Sequence, residues 1–305
     1  MILSPRQEKG EAAVRKREFI AGALTLGLGA MVSAQTAARA QDRSGDDMAR
    51  RDAERLARET RRADVPNRIV RTTDLFSSPE GYPNAIDIAP EGLWIAEQRT
   101  EEGIGISNDA YLVDWTGKVL RKVPTASRNT SGMAFGEGHL WMGANAPPNG
   151  IFQTDMRGRT VRHRQIPLGP PTNGGGCHGV MYHEGKLYLA ALRLRGILRV
   201  DVRSWQPELL IACAFPRMHD LAWDNGTIWM IVGDSNTDDS APALARYDAA
   251  TGRLLETATF APGSADPHGL TIRNGVFYGC DAGIHPGWPH RHSRSSGAIF
   301  RIDFI

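Results

Sequence analysis

Three histidines of this chain occupy matching places in a recurring pattern. His178 in GCHGVMYHEGKLYLAA, His219 in MHDLAWDNGTIW and His268 in PHGLTIRNGVFYGC each precede an aromatic residue (Tyr188, Trp229, Tyr278) by ten positions. Three imidazoles that meet at one point can hold a divalent ion, Zn²⁺ or another metal, and leave a position open around it. That is the arrangement of catalytic rather than structural sites. A solvent molecule or a substrate oxygen would take the open position. A histidine at the entrance of a strand can equally bond to neighbouring backbone, and one such residue alone would be read that way. Three in one register make the ligand cluster worth carrying forward.

Two acids share a second register. Glu97 and Asp281 each lie three residues past the aromatic of their copy. A carboxylate there could bind the metal, orient a histidine or act as general base. It could also cap the end of a hairpin. Arg99 and Arg193, in the loops that follow, are available for an anionic substrate. His139 and His183 lie in or beside hairpin turns, and His163 falls on an outer strand, so these three read as surface residues. His285, His290 and His292 belong to HPGWPHRHSRSSG, a long Pro- and His-rich loop that reads as a mobile lid. They are extra ligands or, more simply, solvated loop residues.

The elements that must position these groups are set by a repeat. Five copies align on an aromatic: NAIDIAPEGLW, SGMAFGEGHLW, HGVMYHEGKLY, HDLAWDNGTIW and HGLTIRNGVFY, spaced 47, 47, 41 and 49 residues apart. Each is an alternating strand, a turn built on Gly or Asn-Gly, and a second apolar strand. A third strand follows (DAYLVDWTG, GIFQTDMRG, GILRVDVRS, ALARYDAATG), usually ended by Asp and a small residue. A more polar fourth strand comes next (KVLRKVP, TVRHRQIPL, RLLETATF). A period in the forties with four strands per unit predicts an all-β fold, a β-propeller. The fifth copy stops after its third strand, GAIFRIDFI. NRIVRTTDLF, at 67–76, is an orphan strand ahead of the first copy. Placing it on the last unit closes a ring of five four-stranded blades and covers their edges. Ten residues before each aromatic the copies read Asn84, Ser131, His178, His219 and His268. This position is the rim of the central channel, where inter-blade loops converge. Equivalent positions around five blades are about 72° apart and face one axis.

The N-terminus has a different character. Arg15, Lys16 and Arg17 precede an apolar run from Phe19 to Val32, and Ala38-Arg39-Ala40 follows as an A-x-A cleavage pattern. KREFIAG resembles a twin-arginine export signal with Lys16 in place of the first arginine. Residues 1–40 are therefore expected to be an export signal, by a twin-arginine-like or Sec route, with the mature chain periplasmic or secreted. The apolar run is shorter than the ~20 residues of a membrane span, so no stable span is expected after cleavage. Residues 41–66 are charged and poor in large apolar residues, a solvated helix or linker ended by Pro66. The propeller then occupies 67–305.

Of 305 residues, 36 are Lys or Arg and 34 are Asp or Glu, a net charge of +2. Residues 1–40 carry 6 of the bases and 3 of the acids, so the remainder is near −1. No nucleic-acid footprint is expected. Cys177, Cys213 and Cys280 are too few and too odd for a disulfide framework, although a Cys177–Cys213 bridge is conceivable.

NAIDIAPEGLWIAEQ resembles the repeats of virginiamycin B lyase-type propellers, which read GI-x-x-x-PDG-x-LWF-x-E. PHGLTI and MHDLAW are similar to repeats of NHL-type propellers and of peptidyl-hydroxyglycine amidating lyase. The resemblance to that lyase family implies a propeller with a central zinc held by histidines from different blades. The matching positions here are His178, His219 and His268. Those families have six or seven blades, whereas five are counted here. The expectation is an exported metal-dependent lyase or hydrolase acting on a small soluble substrate at the loop face. Two alternatives stand beside it. One is a non-catalytic periplasmic binding or scaffold propeller, with a protein partner on the loop face and an apolar patch around Trp288. The other is a copper or iron redox site, for which Cys177 and Cys280 are the reason.

Overall fold

Among the described residues, the computed structural model holds three four-stranded sheets and one eight-stranded sheet, whose strands fall into units of four. The residues described are 64–98, 108–168, 176–215, 217–233, 242–281 and 297–305. The expected export segment, most of 41–66, Arg99 and the loop carrying His285, Trp288, His290 and His292 lie outside them. Unit one is β2 (Pro83–Ile88), β3 (Gly92–Glu97), β4 (Ala110–Asp114) and β5 (Val119–Val123). Unit two is β6 (Thr130–Gly136), β7 (His139–Ala144), β8 (Gly150–Asp155) and β9 (Thr160–Arg164). Unit three is β10 (Cys177–His183), β11 (Lys186–Ala191), β12 (Gly196–Asp201) and β13 (Pro207–Ala212). Unit four is β14 (Arg217–Asp224), β15 (Thr227–Gly233), β16 (Ala243–Asp248) and β17 (Leu254–Phe260). Unit five is β18 (Gly269–Arg273), β19 (Val276–Cys280), β20 (Ala298–Phe304) and, as its outer strand, β1 (Asn67–Ser77). β1 runs antiparallel to β20, as the orphan strand was expected to. It also pairs in parallel with β17, which joins units four and five into one eight-stranded sheet. Among the described residues the only helical piece is a 3-10 turn at Leu192–Leu194. No described helix is long and apolar enough to cross a membrane.

Local chemistry accounts for the repeat. In four units the first hairpin turns through two residues at positive φ: Glu137-Gly138, Glu184-Gly185, Asn225-Gly226 and Asn274-Gly275. This is the turn whose twist matches that of the flanking strands. At the same end of units one to four, Asp114, Asp155, Asp201 and Asp248 close the third strand, paired with the residues that leave the hairpin turn. Each accepts backbone N–H groups from the next few residues, such as Thr116 (2.9 Å), Arg157 (3.0 Å), Ser204 (2.8 Å) and Thr251 (2.7 Å). The aromatics Trp94, Trp141, Tyr188 and Trp229 are buried between neighbouring sheets.

The innermost strands set up the centre. β2, β6, β10, β14 and β18 touch in turn, and β18 closes back on β2. In units one to four the pairing of the inner strand breaks register across the rim residue. The breaks fall at Pro83/Ala85, Thr130/Gly132, Cys177/Val180 and Met218/Leu221. Such a bulge takes a residue out of the ladder and re-aims its side chain. In unit five β18 begins just after His268. Small residues behind the rim allow this close approach. A Cβ on Gly132 would lie 1.9 Å from the His178 carbonyl oxygen, and one on Gly179 would lie 2.6 Å from that of His219.

The conceivable Cys177–Cys213 bridge is not formed, and all three cysteines are buried thiols outside any disulfide. Cys177 donates to the Gly179 carbonyl (3.0 Å), while Cys213 meets the Tyr247 hydroxyl at 3.3 Å, so the two sulfurs are used separately.

Candidate functional site

The five rim residues form a contiguous chain of contacts around the channel mouth. His178 and His219 have ring centroids 4.8 Å apart, and His219 and His268 are 4.4 Å apart. His268 Nδ1 is 2.8 Å from Asn84 Oδ1, and Asn84 Nδ2 donates to Ser131 Oγ at 3.0 Å. Asn145 Nδ2 donates to the same hydroxyl at 2.8 Å. Each side chain is delivered by its own blade, so the register read in the sequence becomes physical adjacency.

The hydrogen bonds set the tautomers. His178 Nδ1–H donates to the Met218 carbonyl at 2.7 Å, which leaves the Nε2 lone pair uncommitted. The Asn84 amide spends its N–H groups on Ser131 Oγ and the Thr130 carbonyl (3.3 Å), so its oxygen accepts from His268 Nδ1–H. His219 is buried, and its Nδ1 has no hydrogen-bond partner among the described residues. Burial pushes His178 down to about 4, opposed by its bond to Met218. Burial also holds His219 well below the usual imidazole range, helped by the nearby charges of His268 and Arg217. Both rings are therefore neutral at pH 7, as ligation of a metal requires.

Two further buried charged residues complete the surroundings. Arg217 Nη2 donates to Asp266 Oδ1 at 2.9 Å, with side chains only 7% and 2% exposed. Asp266 Oδ2 lies 3.5 Å from His268 Nε2. Both residues sit two positions before a rim histidine, in a column that reads Tyr82, Asn129, Gly176, Arg217 and Asp266. Opposite charges at one register position of adjacent units were the signal. Further along the inner strands, Asp220 Oδ2 accepts from the backbone N–H of Leu270 (3.2 Å) and Ile86 (3.5 Å). Asp87 accepts from Phe135 N–H and Ile88 N–H, both at 2.7 Å. These carboxylates tie neighbouring inner strands together. Burial raises both, Asp87 to about 6.

The expected catalytic residues are placed as follows. Glu97 is fully buried and accepts from the N–H groups of Tyr82 (2.8 Å) and Glu80 (3.1 Å), so it organises the loop before β2. Burial raises its carboxyl against those bonds. Asp281 is also buried, and its backbone is tied to Ala298 and Gly297. The charges of Glu97 and Asp281 both act on the Cys280 thiol, where units five and one meet. Arg193 is exposed, in the 3-10 turn of unit three. His163 lies on the outer strand β9, and its ring packs on Phe152. His183 stacks on Trp223. Among the described residues, no group of three or more His, Cys, Asp or Glu is arranged to hold a metal ion as it stands. The donor types and tautomers suit an ion. The pinned rings of His178 and His268 and the unpinned Nδ1 of His219 show which ring is freest to adjust.

The fold and its centre define a β-propeller whose channel mouth carries a buried polar cluster. No family model matches the chain, and no curated protein matches it. Among solved structures it is similar to the glutaminyl cyclase of Myxococcus xanthus, with a TM-score of 0.54 at 11% identity over 79% of this chain and 98% of that one. It is also similar to virginiamycin B lyase from Staphylococcus aureus (TM-score 0.44, 18% identity, 75% and 69% of the two chains). A third similarity is to the Neurospora crassa Pan2 WD40 domain (TM-score 0.41, 14% identity, 69% and 82%). Likeness at this level of identity is a likeness of fold.

Proposed function

We propose that this chain is a catalytic propeller, a lyase or hydrolase of a small soluble substrate, working at the channel mouth. His178, His219 and His268 are its central residues and would hold a divalent ion, with Zn²⁺ the leading candidate. One observation carries the reading: three imidazoles from three consecutive units meet ring to ring at one register position, and burial keeps at least two of them neutral. When bound, such an ion would supply Lewis acidity toward a substrate oxygen. The chain's own groups do the rest. The Met218 carbonyl and Asn84 orient His178 and His268; His178 thereby presents Nε2, while His268 Nε2 faces Asp266. Ser131 and Asn145 hold Asn84 in place. The closely packed inner strands keep water away from the rings. Glu97, whose oxygens accept from Glu80 and Tyr82, supports the loop before β2 in this reading, and Asp281 remains the candidate base. The reading includes export through residues 1–40, with the folded chain acting in the periplasm or outside the cell.

The test is metal analysis of the purified folded protein by inductively coupled plasma mass spectrometry, beside His178→Ala, His219→Ala and His268→Ala. The expected result is stoichiometric divalent metal in the wild type and its loss in each variant. A folded wild type that neither carries nor takes up Zn²⁺, Mn²⁺, Co²⁺ or Ni²⁺ would overturn the metal site.

A further inference from the structure

Arg217 is the one buried guanidinium among the described residues that reaches the histidine cluster. It lies on β14 two residues before His219, is 6% exposed, and spends Nη2 on Asp266. Its Nη1 is buried and has no hydrogen-bond partner among the described residues. A buried N–H group without an acceptor loses its hydration and gains nothing in return. Native proteins retain few such groups, and those retained call for a reason. Arg217 also sits close enough to His178 and His219 for its charge to act on both rings. His219 Nδ1 is a second buried polar atom without a bond in the same cluster. Two side chains, from one strand, thus leave polar capacity unused at one place.

We infer that Arg217 Nη1 is the anchor for a carboxylate group of the substrate, beside the three imidazoles. The planar guanidinium fork matches a carboxylate in geometry and binds it by charge-assisted hydrogen bonds. Asp266 holds the fork in place through Nη2 and leaves Nη1 for the ligand. Asp266 already cancels the Arg217 charge, so the anchor holds a ligand through directed hydrogen bonds and not through net charge, which favours a carboxylate monoanion over a phosphate dianion. A ligand on Nη1 would be fixed next to His219 and His178. The role of Arg217 is therefore binding and orientation, which places the reacting part of the substrate over the rings. This inference rests on reading the channel mouth as a substrate site, and not on the presence of an ion.

The experiment uses the full chain and ligand-observed NMR with matched pairs: benzoate against benzamide, and glycolate against glycolamide, with inorganic phosphate alongside. Each is titrated before and after removal of metal with EDTA. Wild-type protein is expected to bind the carboxylates at least about tenfold more tightly than their amides, the scale of one lost charge-assisted bond. Arg217→Gln is expected to erase that preference, and Arg217→Lys to restore part of it. The amide comparison needs no variant, so it decides the matter even where Arg217→Gln fails to fold. Equal binding of acid and amide overturns the inference, as does phosphate binding more tightly than either carboxylate. A preference that vanishes on chelation also overturns it, because the anion then sits on the ion, and the metal reading survives. A preference that survives chelation in a protein found to hold no metal supports the carboxylate anchor while the metal reading falls.

Discussion

Gly132 is a point of close backbone contact in the wall behind the rim, and one methyl group there tests how the site is held. It follows Ser131 on β6 and faces the backbone of β10. A Cβ added to it would stand 1.9 Å from the His178 carbonyl oxygen, 2.6 Å from Val180 N and 2.8 Å from Gly179 C. Ordinary contact begins at 3.4 Å, so the nearest atom must retreat by about 1.5 Å. All three obstacles are main chain, so relief means moving β10 as a whole away from β6. Overpacking of this kind costs about 1–3 kcal/mol, and rigid obstacles put Gly132→Ala at about 3 kcal/mol or above. Gly138→Ala is the control within the same unit. Nothing lies within 4 Å of its Cβ, and only a φ of +71° is at stake, worth about 1 kcal/mol. Urea unfolding followed by tryptophan fluorescence measures both. Gly132→Ala is expected to unfold at clearly lower urea than Gly138→Ala, and to lower the thermal midpoint by about 6–12 °C. Because the obstructed oxygen belongs to His178, metal uptake should weaken in Gly132→Ala and not in Gly138→Ala. Equal stability of the two variants would refute the argument that the inner strands touch backbone to backbone.

Three further outcomes are expected. His219→Phe keeps the ring shape and removes a buried nitrogen that has no bond, so its stability should match or exceed the wild type, while metal uptake is lost; destabilisation beyond about 2 kcal/mol would show that His219 has a structural bond. Asp87 is raised to about 6 in the folded chain, so the native state holds its proton longer than the unfolded one, and its contribution to stability falls as pH rises from about 4 through about 6. Relative to Asp87→Asn, the wild type should lose up to about 3 kcal/mol across that window, and urea midpoints measured from pH 4 to 7 that track in parallel would contradict this. Burial raises the Cys177 and Cys280 thiols, so Ellman's reagent should find no fast-reacting cysteine in the native protein and three per chain after unfolding; a fast native thiol would revive a redox role.

The repeat was legible because each blade solves the same local problem with the same residues. Gly138 and Asn225-Gly226 supply the hairpin turns, Asp155 and Asp248 the third-strand ends, and Trp141 and Trp229 the filling between sheets. Periodicity also put Asn84, Ser131, His178, His219 and His268 in one column, and a ring of blades brings a column to one place. The orphan strand at 67–76 could be assigned to the last unit because an unpaired edge there would be left exposed.

Residues used once were out of reach. Arg217 and Asp266 make an ion pair only because units four and five are neighbours, and nothing in either repeat copy demands the partner. Glu97 read as a candidate base until the fold gave its oxygens to the N–H groups of Glu80 and Tyr82. The parallel pairing of β1 with β17 depends on how two sheets come together, which strand patterns do not encode. The sequence by itself determined the propeller, its units and the register of the histidines, since these follow from short-range turn chemistry and alternation. Tertiary structure alone decided which nitrogen His178 and His268 commit to hydrogen bonds, which carboxylates are already engaged and that Arg217 pairs with Asp266, since those depend on partners brought from other blades.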